Sequence, residues 1–223
     1  MPGVLRLLGL TPASKVLDLA CGQGIAARYL PPKISYTGVD ASKTLLSYAK
    51  RDAKPWQAFV EADISEPLQL PEREFTHAVI ILALQNIENA QAVLANVAKH
   101  LKQKGKLVIV LNHPCFRIPR QSGWGVDEHK QLQYRRVDRY LSSMKIPIQM
   151  EPGKGAHSST TWSFHHPLSS YIQWLAEAGF AVDAMEEWVS EKKSSGKMAK
   201  MENRARSEIP LFLALRGCLH TKT

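Results

Sequence analysis

The chain has few cysteines, few aromatic residues and no long apolar run. Of its 223 residues, 3 are cysteines and 8% are aromatic. Cys21, Cys115 and Cys218 are scattered and lack C-x-x-C spacing, so the sequence predicts neither a disulfide framework nor a metal site. No apolar run approaches the roughly twenty residues that span a bilayer, and residues 1–10 do not resemble a signal peptide. We therefore expect a cytoplasmic protein without a membrane span.

Acidic residues are also scarce relative to basic ones. The chain has 20 Asp and Glu against 29 Lys and Arg, a formal net charge of +9. Such a balance accompanies nucleic-acid binding or simply a basic surface. Much of the charge lies in residues 117–139 and 192–206. The length predicts a single domain, residues 1–223. We expect the protein to be a monomer or a homodimer.

The strongest motif is an apolar run, residues 16–19, that contains a carboxylate and leads into a turn with Gly22 and Gly24. The run predicts a strand buried on both faces, and a helix is expected over residues 25–30. Glycines allow a sharp turn and let a ligand approach the N–H groups at the start of that helix. The motif therefore predicts a site for a nucleoside-bearing cofactor.

Two cofactor classes fit the glycines. Residues 22–27 match the loose dinucleotide pattern G-x-G-x-x-G/A, and Asp40 lies at a suitable distance downstream. Asp18, however, places a carboxylate at the end of the strand, where it would repel a pyrophosphate and attract a cationic amino-acid tail. This charge favours a cofactor with an ammonium and a sulfonium.

The pattern Asp18-x-Ala20-x-Gly22-x-Gly24 resembles the first motif of the class I S-adenosylmethionine-dependent methyltransferases. The resemblance implies S-adenosylmethionine as cofactor and S-adenosylhomocysteine as product. It implies that Asp40 holds the ribose hydroxyls and that Asp63 accepts from the adenine amino group. The implied cofactor residues are Asp18, Ala20, Gly22, Gln23, Gly24, Asp40, Ala41, Asp63, Ile64 and Leu82.

Strand and helix signals alternate over residues 16–111, which predicts a parallel α/β sheet. Two strands near residues 180–189 and 209–215 follow, with no helix expected between them. The resemblance implies a Rossmann-like, seven-stranded, mostly parallel sheet with an antiparallel last strand and helices on both faces. Residues 1–10 are interpreted as a short version of the N-terminal segment that closes over the cofactor in such enzymes.

The interval of residues 112–166 is much longer than an ordinary connection, and we interpret it as a substrate cap inserted after strand 5. A helix is expected over residues 132–141, and loops are expected around residues 153–161. The arginines of the cap would either clamp a carboxylate or phosphate on a small acceptor or follow a nucleic-acid backbone. These arginines are Arg117, Arg120, Arg135, Arg136 and Arg139.

Methyl transfer from a sulfonium is an in-line displacement in which the protein orients the acceptor and, where necessary, removes a proton. His113 follows the fifth strand, at the sheet edge where open α/β folds bind ligands, and is the first candidate for a base. His157 and Tyr134, both in the cap, are the further catalytic candidates.

The segment after the fourth strand, residues 83–87, lacks the Asn/Asp-Pro-Pro-aromatic motif. A segment with that motif would resemble the enzymes that methylate amino groups of nucleic-acid bases. Residues 83–87 are more similar to the small-molecule branch, which includes quinone C-methylases. We therefore expect methyl transfer to an O, N or C atom of a small organic acceptor. The alternatives are an RNA methyltransferase that uses the basic cap and a catalytically inactive cofactor-binding module.

Overall fold

The computed structural model describes residues 1–70, 72, 74–149 and 160–220. The strands are β1 (Lys15–Leu19), β2 (Ser35–Asp40), β3 (Gln57–Glu61), β4 (Phe75–Ile81), β5 (Leu101–Asn112), β6 (Ser122–Asp127), β7 (Leu132–Val137), β8 (Met144–Gln149), β9 (Thr160–His165), β10 (Phe180–Trp188) and β11 (Phe212–Leu219). The helices are α1 (Pro2–Leu8), α2 (Ile25–Tyr29), α3 (Lys43–Arg51), α4 (Ala90–His100), α5 (Leu168–Glu177) and α6 (Ala199–Glu208), with a 3₁₀ helix at Leu84–Asn86. In these described ranges no helix is long and apolar enough to cross a membrane.

A seven-stranded sheet with the order β10-β11-β5-β4-β1-β2-β3 forms the centre of the fold. β1 pairs in parallel with both β2 and β4, while β11 is antiparallel to both β5 and β10. The predicted fold class, including the antiparallel last strand, is confirmed. Chain order reverses between β1 and β4, and ligands of open α/β sheets bind beyond the strand ends at such a point.

Apolar residues on both faces of the sheet bury it between helices. On one face Leu17 and Leu19 of β1 pack in the same cluster as Val93 of α4 and Leu175 of α5. On the other face Val16 lies in a second cluster with the apolar side of α1, which consists of Val4, Leu7 and Leu8. Residues 1–10 were expected to close over the cofactor. Their helix α1 instead packs against this face of the sheet, where it contacts β5 and β11.

The expectation of a helix over residues 132–141 is wrong. Residues 132–137 form β7, which pairs antiparallel with β6, and Tyr134 lies opposite Gly125. A Cβ at Gly125 would lie 2.5 Å from Tyr134 Cζ, so glycine lets the ring lie over the neighbouring strand in its present position. Six residue pairs join β7 to β6, and helix periodicity does not detect such a pairing.

A second antiparallel hairpin, β8 with β9, completes the described part of the interval 112–166. Thr160 and Thr161, expected in a loop, belong to β9. Residues 150–159, which include the rest of that expected loop, lie outside the described residues.

The expectation of no helix between β10 and β11 is also wrong, because α6 lies between them. Its buried residues are Met201 and Ala205, one turn apart, and most of its other residues are polar or charged. So narrow an apolar stripe gives little periodic signal. α6 packs against β7 and so joins the closing hairpin to the first cap hairpin.

Leucines buried in the central sheet should contribute much more to the free energy of unfolding than exposed leucines. Leu107 of β5 is 0% exposed, whereas Leu141 is 78% exposed. Leu107→Ala should lower the free energy of unfolding by about 2–5 kcal/mol, since it removes packed methyl groups and leaves a cavity. Urea denaturation measures the loss, with Leu141→Ala as the matched control that we expect to be near neutral. Equal effects of the two variants would contradict the assigned core.

Candidate functional site

The turn after β1 is built from residues in the left-handed backbone region. Ala20, Gly22 and Gly24 have φ values of 59°, 55° and 71°. Gly24 is the N-cap of α2, and a Cβ there would lie 3.1 Å from Phe59 Cε1. At Gly22 a Cβ would meet nothing within 4 Å, so conformation rather than space favours glycine there. The turn thus holds α2 close to β3 and presents backbone N–H groups at the sheet edge.

Asp40, at the end of β2, is fixed by two backbone donors. Gly22 donates its N–H to Asp40 Oδ2 at 2.8 Å, and Ser42 donates its N–H to Oδ1 at 2.8 Å. Each carboxylate oxygen has a second lone pair, so both oxygens can still accept one hydrogen bond. The result is a fixed pair of acceptors, suited to two neighbouring hydroxyl groups.

Asp63, after β3, is fixed in a similar way. Its Oδ1 accepts from the N–H of Ser65 at 2.8 Å and from Ser65 Oγ at 2.7 Å, and these bonds lower the pKa of the carboxyl. Asn96 donates to the carbonyl of Ile64 at 3.0 Å and so ties the segment to α4. Asp63 is therefore an ionised, positioned acceptor beside an apolar Ile64 side chain.

A cavity of about 470 Å³ lies at this edge of the sheet. The predicted cofactor residues that line it are Ala20, Asp40, Ala41, Asp63 and Ile64. The others, Asp18, Gly22, Gln23, Gly24 and Leu82, are not among its lining residues; Gly22 reaches it through Asp40. Leu82 directly follows β4 with φ 53° and donates its N–H to Val110.

Part of the cavity wall consists of residues that were not among the predicted site residues. This part comprises Ala62, Ser65, Asn86, Ile87, Glu88, Asn89, Thr161, Trp162 and Phe164. Trp162 and Phe164 are alternate residues of β9, a period-2 signal that could have identified a strand with an aromatic face. The second cap hairpin therefore forms one side of the cavity.

Asp18 is a buried carboxyl, 3% exposed, that accepts a hydrogen bond from Tyr36 Oη at 2.6 Å. Burial raises the pKa of Asp18 to about 7, the bond from Tyr36 lowers it, and the nearby Asp40 raises it further. A carboxyl with this pKa gains from a neighbouring positive charge.

His113, directly after β5, is 1% exposed, and both of its ring nitrogens form hydrogen bonds. Nδ1 accepts from the N–H of Cys115 at 3.2 Å, so Nε2 carries the proton and donates to Glu187 Oε1 at 2.8 Å. As long as both hydrogen bonds are formed, neither Nδ1 nor Nε2 has a free lone pair that could accept a proton from the acceptor. The geometry supports a structural link between β5 and β10.

The other predicted catalytic residues are not at the cavity or are not described. Tyr134 is 49% exposed on β7 and does not line the cavity. His157 lies outside the described residues.

Two of the cap arginines bind their own chain. Arg135 donates to the carbonyl of Phe116 at 2.6 Å, and Arg136 pairs with Asp138 at 3.0 Å. In both cases the guanidinium already has an acceptor within the cap. These two side chains therefore give little support to a continuous path for phosphates.

A family model for a methyltransferase domain matches residues 17–109. The chain is 30% identical over 191 residues to the 2-phytyl-1,4-naphtoquinone methyltransferase of Trichormus variabilis, covering 74% of this chain and 80% of that protein. It is 30% identical over 111 residues to the demethylmenaquinone methyltransferase of Tropheryma whipplei, covering 49% of this chain and 46% of that one. The match thus spans about half the length of the latter relative.

Solved structures share the fold. A putative S-adenosylmethionine-dependent methyltransferase from Listeria monocytogenes has a TM-score of 0.74 at 23% identity, covering 99% of both chains. A second, from Mesorhizobium loti, has a TM-score of 0.74 at 23% identity and covers 97% of this chain and 96% of that one. At 23% identity these comparisons establish a shared fold and nothing beyond it.

The buried carboxyl predicts a pH effect on stability. Between pH 4 and 7 folded Asp18 keeps a proton that the unfolded chain releases, so its contribution to stability falls as pH rises. Buried His77, whose pKa is lowered to about 4 by burial and by Lys106, acts in the opposite direction. Asp18→Asn should therefore gain stability relative to the unmodified protein as pH rises from 4 to 7.

Unfolding by urea at several pH values measures this difference. Asp138→Asn, which changes a half-exposed carboxylate paired with Arg136, is the control. A stability difference between Asp18→Asn and the unmodified protein that stays constant from pH 4 to 7 would show that Asp18 is ionised in the folded state.

Proposed function

The chain belongs to the class I S-adenosylmethionine-dependent methyltransferases, and from this membership we propose that it methylates a small hydroxylated aromatic acceptor of the quinol class. The observation that carries the proposal is the Asp40 carboxylate, held by Gly22 and Ser42 with two acceptor positions left. The named activities of the relatives from Trichormus and Tropheryma supply the acceptor class.

The residues at the sheet edge fit the cofactor. We propose that Asp40 accepts from both ribose hydroxyls, that Asp63 accepts from the adenine amino group and that Ile64 packs on the adenine ring. Asp40 lies close enough to Asp18 to raise the pKa of the Asp18 carboxyl, and we assign Asp18 to the cationic amino-acid end of the cofactor. When bound, S-adenosylmethionine supplies an electrophilic methyl group.

The walls of the cavity support a flat, apolar acceptor. Ile87, Trp162 and Phe164 face it from the β4 exit and from β9. Apolar and aromatic walls with a few fixed polar groups are typical of small-molecule sites. We propose that residues 112–166 form an acceptor cap within a single domain. Because Arg135 and Arg136 bind their own chain, the site supports a small acceptor better than RNA.

We propose that His113 acts as a positioning residue. Its bond to Glu187 holds the segment after β5 to β10, and the bond from Cys115 fixes the orientation of the ring. No described contact gives Tyr134 a place at the cavity, and we assign it to packing against Gly125. The acceptor's own hydroxyl groups supply the electron density for attack, so orientation is the protein's main contribution.

A cytoplasmic location is proposed because Cys21, Cys115 and Cys218 are all free thiols, and thiols stay reduced in that compartment. The assembly is proposed to be a monomer or homodimer.

The function is tested with 1,4-naphthohydroquinone, kept reduced with dithionite, and S-adenosylmethionine labelled in the methyl group. We expect label in a methylated naphthohydroquinone and formation of S-adenosylhomocysteine. Total RNA under the same conditions is the control acceptor. Labelling of RNA with none of the hydroquinone would overturn the proposed acceptor class.

The ribose assignment is tested by Asp40→Ala. Removing a charged acceptor of two hydrogen bonds should weaken S-adenosylhomocysteine binding by about 1–3 kcal/mol. Titration calorimetry measures the affinity, and Asp52→Ala, an exposed carboxylate at the end of α3, is the matched control. Unchanged affinity in Asp40→Ala would rule out this carboxylate as the ribose partner.

A further inference from the structure

Gln85 has a buried amide oxygen without a partner. It lies in the 3₁₀ helix after β4 and is 8% exposed. Its Nε2 donates to the carbonyl of Leu82 at 2.8 Å, which fixes the orientation of the amide. Among the described residues, Oε1 is one of three buried side-chain N or O atoms with no hydrogen-bond partner. Such an atom costs stability unless something binds it.

Gln85 lines a small cavity of about 20 Å³, distinct from the cofactor cavity. Asn112, Arg117, Ser163 and His165 provide other polar groups around it. The volume is that of about one water molecule or one hydroxyl group. It therefore accommodates a single polar substituent and excludes an aromatic ring.

The small cavity lies directly beside the cofactor cavity. Phe164 lines both, and Asn86, the neighbour of Gln85 in the chain, lines the larger one. A substituent bound at Gln85 would therefore belong to a molecule that reaches the wall of the cofactor cavity. Under the proposed function, the methyl acceptor lies against this wall.

We propose that Gln85 Oε1 accepts a hydrogen bond from a hydroxyl group of the acceptor and thereby orients the acceptor against the cofactor. The inference rests on the proposed function and names the group that recognises the acceptor. Gln85 is then a specificity-determining residue for methyl transfer.

The charges around the cavity specify a hydroxyl rather than an ammonium. Among the lining residues that the structure describes, none is Asp or Glu, and Arg117 is the one guanidinium. Burial lowers the pKa of His165 and so favours its neutral form. A cationic substituent would meet Arg117 without a counter-charge, whereas a phenolic O–H can donate to Gln85 and accept from Arg117.

The amide oxygen can only accept, so it distinguishes a hydroxyl from an ether. The experiment measures the binding of 1,4-naphthohydroquinone and 1,4-dimethoxynaphthalene to protein loaded with S-adenosylhomocysteine. Gln85→Met should weaken binding of the hydroquinone by about tenfold to a hundredfold and leave that of the diether unchanged. The KM for the hydroquinone should rise more than kcat falls.

Gln91→Met, on the exposed side of α4, is the matched control and should change neither ligand. Affinity for S-adenosylhomocysteine should be the same in both variants, which also reports folding. An equal loss for both ligands, or no loss for either, would overturn the inference, because Gln85 would then be structural.

The inference and the proposed function fail in different ways. Methyl transfer to the hydroquinone that is insensitive to Gln85→Met overturns the inference alone. Absence of any transfer to the hydroquinone overturns the proposed acceptor and the inference with it. If Gln85→Met does not fold, equal affinity of the unmodified protein for the hydroquinone and the diether overturns the inference.

Discussion

The site depends on the bonds that two backbone N–H groups make to one carboxylate. Gly22 and Ser42 hold the two oxygens of Asp40 and thereby connect the turn after β1 to the end of β2. The turn can reach Asp40 because Gly22 occupies the left-handed region without strain. Pairing of β1 with β2, from Lys15 with Ser35 to Leu19 with Val39, places both strand ends at the same edge.

The electrostatics of this edge follow from burial. Asp18 of β1 and Tyr36 of β2 are buried side by side, and desolvation raises the pKa values of both groups. With Asp40 and Asp63 nearby on the same edge, the site is rich in carboxyl groups although the chain has a net charge of +9. A cationic cofactor tail would relieve that local excess of negative charge.

The sheet and the cofactor edge could be predicted because their signals are local. Compact apolar runs, strand-end acids and glycines each lie within a few residues, and β1 to β5 follow them closely. The cap could not be predicted in the same way, because β7 is defined by its pairing with β6, and helix periodicity does not detect such a pairing. The sequence around Gln85 does not indicate a binding role. The role is inferred from the structure, in which the side chain is buried, Nε2 donates to Leu82 and Oε1 has no partner.

We propose that Asp40 binds the ribose hydroxyls in a methyltransferase site at the β1–β2 edge. A crystal structure with S-adenosylhomocysteine tests it most directly. Both ribose hydroxyls should lie within hydrogen-bond distance of the Asp40 carboxylate, with the adenine between Asp63 and Ile64. A nucleoside bound elsewhere, such as the groove between α4 and α5 beside Trp174, would contradict it.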